Sequence, residues 1–307
     1  MIFAYPEYYK EFKCIASDCR HSCCIGWEID LDPETACLYK NTEGPLGEKM
    51  ERCIAWGNEP HFILGEKERC PFLNGDNLCE IILELGEEAI SQICTDHPRF
   101  RNYMSERTEI GLGLCCEEAA RLIVSREKPF ELVEEGEGEY TADEDYLMDL
   151  RDEAFEIMND TGLPLLRRMA MVLELCEANL PRWSIAQWGH FFIDLERLDE
   201  AWTNCLRSIV RWEDGEQSAE AFMEAHSREF GNLFVYFLYR HLFTALDDGD
   251  IGSKAGFAYL SCLMIAAASM QNGAAVGTEI IAECARMYSS EIEYSDENLE
   301  IIFDRLK

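Results

Sequence analysis

The sequence predicts a mainly α-helical protein, with a cysteine-rich, loop-rich N-terminal metal-binding module packed on an irregular all-helical C-terminal domain. Eleven of the fifteen cysteines lie in the first 116 of 307 residues. Turn-forming residues interrupt the apolar pieces up to about residue 123, whereas later apolar residues recur at three- and four-residue steps. We therefore expect a cysteine-rich module over 1–124, an acidic linker or loop over 125–145 and a helical domain over 146–307.

The module begins with closely spaced thiols, C-x4-C-x3-C-C from Cys14 to Cys24, and continues through Cys70, Cys79, Cys94 and the Cys115–Cys116 pair. Thiolates are soft anionic ligands that suit zinc and iron–sulfur iron, and either site needs about four of them. In a reducing cytosol, clustered thiols indicate metal or redox chemistry before disulfides. The spacing matches neither paired C-x2-C zinc knuckles nor the C-x3-C-x2-C motif of radical S-adenosylmethionine enzymes. Metal identity stays open.

Two residues near Cys94 could support metal ligands. His97 and Arg99 follow it in "CTDHPR", where the proline limits backbone freedom. The segment before it, "IILELGEEAISQIC", has helical spacing. Elsewhere the isolated cysteines lie on apolar helical faces, where we expect plain core packing: Cys176, Cys205, Cys262 and Cys284.

The linker and the helical domain differ sharply in composition. "SREKPFELVEEGEGEYTADED" is acidic and contains glycine, so it predicts a linker or an exposed loop. Beyond it, "LFVYFLYRHLF" places Leu233, Phe237 and His241 on one stripe of a buried helix. Asp194 could cap the helix that begins at "LERL", and Ser295 or Asp296 could cap the last helix.

The net charge of −33 restricts the partners. Such a field repels phosphate backbones and anionic headgroups, so we expect no nucleic-acid binding and no membrane docking, and a basic protein as partner. The N-terminus "MIFAYPEYYKEFK" has no apolar signal region, which predicts a cytoplasmic protein. The longest apolar run, from Ala255 to Met270, predicts a buried helix.

Four segments carry a family resemblance: "FKCIASDCRHSCCIGWEIDLD", "CPFLNGDNLCEI", "LGEEAISQICTDHPR" and "LGLCCEEAARLI". They resemble successive blocks of the flagellin lysine-N-methylase family, which is related to proteins with cysteine-rich zinc- or iron-chelating domains. "NLFVYFLYRHLF" is similar to the helical part of that family. The resemblance departs at Cys116, where the family usually has proline, and at His97, where an aromatic residue is common.

The resemblance implies methyl transfer from S-adenosylmethionine to lysines of flagellin or another lysine-bearing protein, by an enzyme with a [4Fe-4S] cluster. Zinc is the alternative metal. The family cysteines carry over by position. Of these, Cys19, Cys23, Cys79 and Cys94 form the preferred ligand core, with Cys14, Cys24, Cys70 and Cys115 as further candidates.

The reaction itself has no motif in this sequence. A lysine must lose its proton before it attacks a methyl sulfonium. Tyr236, Tyr239 and His241 are candidates for that step, but such residues on an apolar stripe are more often satisfied in the core, so no catalytic base is assigned. The chain lacks the glycine-rich loop of the usual methyltransferase fold, which leaves the methyl-donor site unassigned.

Two other classes of protein fit the same residues. In one, zinc holds the N-terminal loops and the acidic helical domain binds a basic partner. In the other, surplus thiols beside a metal exchange electrons or disulfides. The sequence leaves the oligomeric state open.

Overall fold

A four-stranded sheet and most of the helices form one of two compact units in the computed structural model, which describes residues 1–212, 215–273 and 275–307. This larger unit comprises Met1–Phe12 and Phe100–Lys307, and the smaller unit comprises Lys13–Arg99. The sequence placed the end of the cysteine-rich module at residue 124. Residues 100–124 instead belong to the larger unit. Their strand at Arg107–Leu112 pairs with the strand at Ile2–Pro6, and their helix at Glu117–Val124 packs against later helices.

The protein is mainly helical, as the sequence predicted, and it also contains a small amount of strand, which the sequence did not predict. The strands are β1 (Ile2–Pro6), β2 (Ile54–Ala55), β3 (His61–Phe62), β4 (Arg99–Tyr103), β5 (Arg107–Leu112) and β6 (Leu132–Gly136). The helices are α1 (Pro33–Lys40), α2 (Gly44–Cys53), α3 (Glu80–Leu85), α4 (Gln92–Asp96), α5 (Glu117–Val124), α6 (Ala142–Asn159), α7 (Leu165–Leu175), α8 (Ile185–Ile193), α9 (Glu200–Ile209), α10 (Gly215–Ala225), α11 (Ser227–His241), α12 (Ala245–Asp248), α13 (Ile251–Met270), α14 (Thr278–Ile292) and α15 (Asp296–Leu306).

The sheet has the strand order β4-β5-β1-β6. β1 runs parallel to β5, with Ala4 opposite Glu109, and antiparallel to β6, with Ile2 opposite Gly136. The buried Glu109 carboxylate joins the sheet to α6, because it accepts from Arg107 at 2.7 Å and from Arg151 at 2.6 Å. This carboxylate is thus the shared counter-ion of two buried guanidinium groups.

Strand β6 lies inside the segment that was predicted to be a linker or an exposed loop. Its side chains after Leu132 are exposed, so backbone pairing with β1 holds it rather than burial. An exposed, acidic strand lacks the apolar alternation that marks a strand in sequence, which explains the difference.

Helices α11 and α13 form the centre of the larger unit. The predicted stripe on α11 is fully buried, including Leu233, Phe237 and His241. Within the described residues, α13 alone is long and apolar enough to cross a membrane, yet 83% of its apolar window is buried inside the protein. The buried helix expected there is confirmed.

One of the predicted helix caps is present and one is not. The Ser295 side chain accepts from the backbone N–H of Asn298 and caps α15. Asp194 instead follows the end of α8, and α9 begins later, after Asp199. The backbone N–H groups of Leu198 and Asp199 donate to the distant Glu291 carboxylate at 2.8 and 2.7 Å, so they are held outside a helix.

The smaller unit has its own apolar core, to which Tyr39, Met50 and Phe72 belong. The Asp32 carboxylate connects two of its helices, because it accepts from the backbone N–H of Thr35 in α1 and from that of Gln92 in α4, both at 2.9 Å. Such side-chain caps satisfy helix N-termini that would otherwise lack partners.

The helical pattern predicted for "IILELGEEAISQIC" is divided into α3 and α4 by Gly86. This glycine has φ of 97° and ψ of 167°, a backbone conformation that essentially only glycine adopts. The bend separates Cys79, just before α3, from Cys94, within α4.

Candidate functional site

Four of the five cysteines that lie in or against the apolar core of the smaller unit are linked by backbone bonds or by mutual effects on pKa. Cys70 belongs to that core, and Cys24, Cys79 and Cys94, like Cys53, pack against it. The backbone N–H of Cys70 donates to the carbonyl of Cys24 at 2.8 Å, and Leu73 pairs with Cys79 in an antiparallel bridge. These backbone bonds hold the first three cysteine segments side by side.

The pKa values of these thiols indicate that the four side chains are close enough to influence one another. Burial raises the pKa of Cys70 to about 12, and negative charge on Cys24, Cys94 and Cys79 raises it further. Burial likewise raises the pKa of Cys94 to about 11, with added effects of Cys24 and Cys79. Burial also raises the pKa of Cys79, although hydrogen bonds from the backbone amides of Ile82 and Ile81 oppose this increase. Thiolates that repel one another in this way are stabilised by a bound cation.

Cys24 differs from the other three. A hydrogen bond from the Cys23 side chain lowers its pKa to about 7, against the effect of burial, and Ser22 and Arg69 lower it further. A thiol with a lowered pKa provides the thiolate that metals and electrophiles require. Within the adjacent pair, the Cys23 thiol is therefore the hydrogen-bond donor and the Cys24 sulfur is the acceptor.

The four thiols do not converge on a single point. In the described parts of the chain, no three His, Cys, Asp or Glu side chains lie in an arrangement that could hold a metal ion. A single zinc ion draws its ligands into one tetrahedron, whereas each thiolate on a four-iron cluster binds a different iron.

The structure brings only some of the eight predicted cysteine ligands together. Cys79 and Cys94, from the preferred core, lie in the group of four, which Cys24 and Cys70 complete. Cys23 is connected to the group through Cys24. The half-buried Cys19 follows a short 3-10 turn at Ala16–Asp18, and its assignment as a ligand stays a prediction, as does that of Cys23. Cys14 is exposed, and its sulfur accepts from the Ala16 amide at 3.4 Å.

His97 and Arg99 lie next to the cysteine segments, and Trp27 links His97 to them. The Trp27 indole N–H donates to the carbonyl of Cys23 at 2.6 Å, and its ring meets the His97 ring edge-on at 5.4 Å. Burial, together with Arg99, lowers the pKa of His97 to about 4, so its imidazole is neutral near pH 7. Arg99 donates to the carbonyl of Thr95 at 2.8 Å.

Sequence reasoning missed Trp27. The only signal was its position three residues after Cys24, in "CCIGW". A tryptophan beside a ligand loop has no fixed meaning until the fold shows which side chain its ring contacts.

Cys115, the eighth predicted ligand, belongs to the larger unit, between β5 and α5. Burial raises its pKa to about 12, although a hydrogen bond with Tyr294 and the charge of Arg240 oppose this. The neighbouring Cys116 is the residue at which α5 begins.

The candidates for lysine deprotonation are buried in a hydrogen-bonded network of the larger unit. Glu293 accepts from the Tyr236 hydroxyl at 3.1 Å, lies 2.7 Å from His241 Nε2 and pairs with Arg240 at 3.3 Å. Burial raises the pKa of Tyr236 and lowers that of His241, so both are neutral at pH 7. The Tyr239 hydroxyl donates to the carbonyl of Ile110 at 3.1 Å. All three side chains therefore have partners inside the fold.

Together these features define a class of protein: a mainly helical, thiol-rich protein with a small sheet, in which several cysteines of one unit lie in or against one apolar core. Residues 92–307 match the family model that is described as "FliB lysine N-methylase C-terminal domain". The chain belongs to the FliB lysine N-methylase family, as the cysteine blocks indicated. Residues 13–91, which include Cys24, Cys70 and Cys79, lie outside this match.

Two groups of relatives agree with this membership. The chain is 30% identical over 134 residues to proteins named lysine-N-methylase from Salmonella typhimurium (strain LT2) and Salmonella choleraesuis, covering 39% of this chain and 32% of each relative. It is 29% identical over 134 residues to the flagellar biosynthetic protein FliU of Salmonella muenchen, covering 39% of this chain and 75% of FliU. The matched part thus spans about a third of the length of the named lysine-N-methylases. No solved structure matches this chain.

Proposed function

We propose that this protein is a protein lysine N-methyltransferase that transfers a methyl group from S-adenosylmethionine to flagellin lysines in the cytoplasm. Family membership over residues 92–307 is the observation that carries the proposal. The names of the relatives, lysine-N-methylase and flagellar biosynthetic protein, support the reaction and the substrate. The net charge of −33 supports a cationic target, because an acidic surface draws in lysine-bearing segments.

We further propose that Cys24, Cys70, Cys79 and Cys94 hold a [4Fe-4S] cluster. Their mutual effect on pKa and their partial burial favour this ligand set. Trp27 and His97 would keep the loop of Cys23 and the end of α4 in place around it.

The chemistry requires a neutral amine. S-adenosylmethionine, when bound, supplies a methyl group on a sulfonium. The protein must orient the lysine nitrogen toward that carbon and accept the ammonium proton beforehand. Tyr236, Tyr239 and His241 are hydrogen-bonded within the core. We therefore assign them to holding α11 in place rather than to proton transfer.

The reaction is tested by mass spectrometry of flagellin incubated with the anaerobically purified protein and S-adenosylmethionine. We expect added methyl mass on lysine-containing peptides and on no others. Cys79→Ser should abolish the transfer, whereas Cys37→Ser, at an exposed thiol away from the core of the smaller unit, should retain it. If flagellin stays unmodified although the protein contains its full complement of iron and sulfide, the proposed reaction is excluded. Stoichiometric zinc with no binding of the methyl donor would favour a zinc-held interaction module instead.

A further inference from the structure

The smaller unit carries an open groove of about 510 Å³ beside the Cys23–Cys24 loop. Its walls include Trp27, Glu28, His61, Ile63 and Glu68. The volume falls within the range of roughly 300 to 1,000 Å³ that is usual for sites of small ligands or single side chains. The family match leaves these residues uncovered, because it begins at residue 92.

The groove combines apolar surface with negative charge. Trp27 and Ile63, which are exposed by 37% and 50%, supply the apolar surface. Two carboxylates, Glu28 and Glu68, stand among them. The His61 Nε2 atom lies 3.6 Å from the Glu28 carboxylate, and the Glu28 side chain remains 68% exposed. The negative charge is therefore available to a ligand.

The backbone around the groove is held in an unusual conformation. Lys67 and Glu68 both have positive φ, 56° and 58°, which non-glycine residues adopt only at an energetic cost. The amide of Gly26, itself at φ of 97°, donates to the carbonyl of Glu68 at 3.1 Å, and Ile25 pairs with Arg69. The loop that carries Glu68 is thereby fixed against the loop that carries Trp27 and Glu28. The Arg69 guanidinium donates to the carbonyl of Asn74 at 2.6 Å and to the side-chain oxygen of Asn77 at 2.8 Å.

We propose that this groove binds a lysine side chain of the protein substrate. The aliphatic part of lysine would lie against Ile63 and the Trp27 ring, and the ammonium would lie near Glu28 and Glu68. A cation over an indole face and beside carboxylates is stabilised by both, and methylation of the nitrogen preserves its charge and its affinity for the ring. This inference rests on the proposed function, because it names where that substrate is recognised.

Lysine fits these walls better than the other cationic residue. Its four-carbon stem matches the apolar strip, and its compact ammonium needs nearby charges rather than a planar set of acceptors. An arginine would instead require two acceptors in one plane. The indole N–H of Trp27 is already bound to the carbonyl of Cys23, so the ring is held in place before the ligand arrives.

The test is a binding experiment with the full chain and no methyl donor. A dye-labelled peptide of glycine and serine with one lysine is titrated by fluorescence anisotropy, next to the same peptide with norleucine. We expect Kd for the lysine peptide to weaken about five-fold when Glu28→Gln and Glu68→Gln are combined. The matched control, Glu51→Gln with Glu84→Gln, removes the same charge from exposed positions and should change Kd by less than about two-fold.

A second pair of variants tests the aromatic wall. Trp27→Phe keeps an aromatic face and should weaken binding less than Trp27→Leu. Equal binding of the lysine and norleucine peptides, an equal loss in the control variant, or tighter binding of an arginine peptide would each overturn the assignment. If methyl transfer persists but the protein binds the lysine peptide no better than the norleucine peptide, the groove is not the lysine site and the proposed reaction stands. If the groove binds lysine but no methyl transfer occurs, the lysine site stands and the proposed reaction is excluded.

Discussion

The Glu293 carboxylate lies between the Arg240 guanidinium and the His241 imidazole, and its side chain is fully buried. Burial raises the pKa of Glu293, but Arg240 and His241 lower it more, so the pKa lies below its usual value and the group is charged. A buried charge with a matched partner is tolerated, whereas removal of one partner leaves the other uncompensated.

We predict that Glu293→Gln lowers the free energy of unfolding by about 3 kcal/mol, because it leaves the largely buried Arg240 without its counter-ion. Urea denaturation measures the change. Glu283→Gln, which breaks the more exposed pair with Arg286 at 2.8 Å, should cost less than about 1 kcal/mol. Equal losses in the two variants would show that the buried pair has no special role.

Individual residues were predictable only where their chemistry is rare. Cysteine clusters stand out in any composition, and two of the four preferred ligands, Cys79 and Cys94, lie with Cys24 and Cys70 in or against one apolar core. Glu293 is one of 60 acidic residues, and nothing in "SSEIEYS" distinguishes it. Its burial follows from its contacts with Arg240 and His241 of α11, more than 50 residues away, which residues close in sequence do not reveal. Trp27 was missed for the same reason.

Among the elements, long helices were predictable and short pieces were not. The stripe on α11 and the apolar run of α13 specify their own burial, because the helical period repeats over several turns. β1 pairs with residues more than 100 positions away, and β6 exposes most of its side chains. Neither strand carries a local pattern that predicts such pairing.

We predict that Gly86→Ala destabilises the bend between α3 and α4 by about 1 to 3 kcal/mol. Alanine cannot easily adopt φ of 97° with ψ of 167°, the conformation that ends α3 there. Hydrogen exchange at the amides of α3 and α4 should become faster. Gly75→Ala, at a position with open space for a Cβ atom, is the control and should leave exchange nearly unchanged. Protection retained in Gly86→Ala would mean that the bend does not depend on glycine.

The whole chain carries far more negative than positive charge, 60 acidic against 27 basic side chains. Self-repulsion of such a surface destabilises the compact state, and salt screens it. We therefore expect the urea midpoint to rise between about 0.01 M and about 1 M sodium chloride, where the Debye length falls from roughly 30 to 3 Å.

Circular dichroism in urea measures this salt response. A variant with Glu51, Glu84 and Glu156 changed to Gln, all at exposed positions, should respond less to salt. A midpoint that falls as salt is added would show that paired surface charges outweigh the repulsion.

The division of the molecule was predicted only in outline. The sequence separates a cysteine-rich part from a helical part, but β1, β4, β5 and α5 belong with the helices although they lie in the first 124 residues. Cysteine density follows the chemistry of a site, whereas the compact units follow long-range pairing. The two boundaries need not coincide.

We claim that Cys24, Cys70, Cys79 and Cys94 form one ligand set, and the amounts of iron and acid-labile sulfide bound per chain measure whether they do. After anaerobic reconstitution, we predict about four irons and four sulfides per chain. Serine at any one of the four should remove most of the iron, and Cys37→Ser and Cys53→Ser should retain it. Iron retained in all four single variants, or a colourless protein that holds zinc, would contradict the claim.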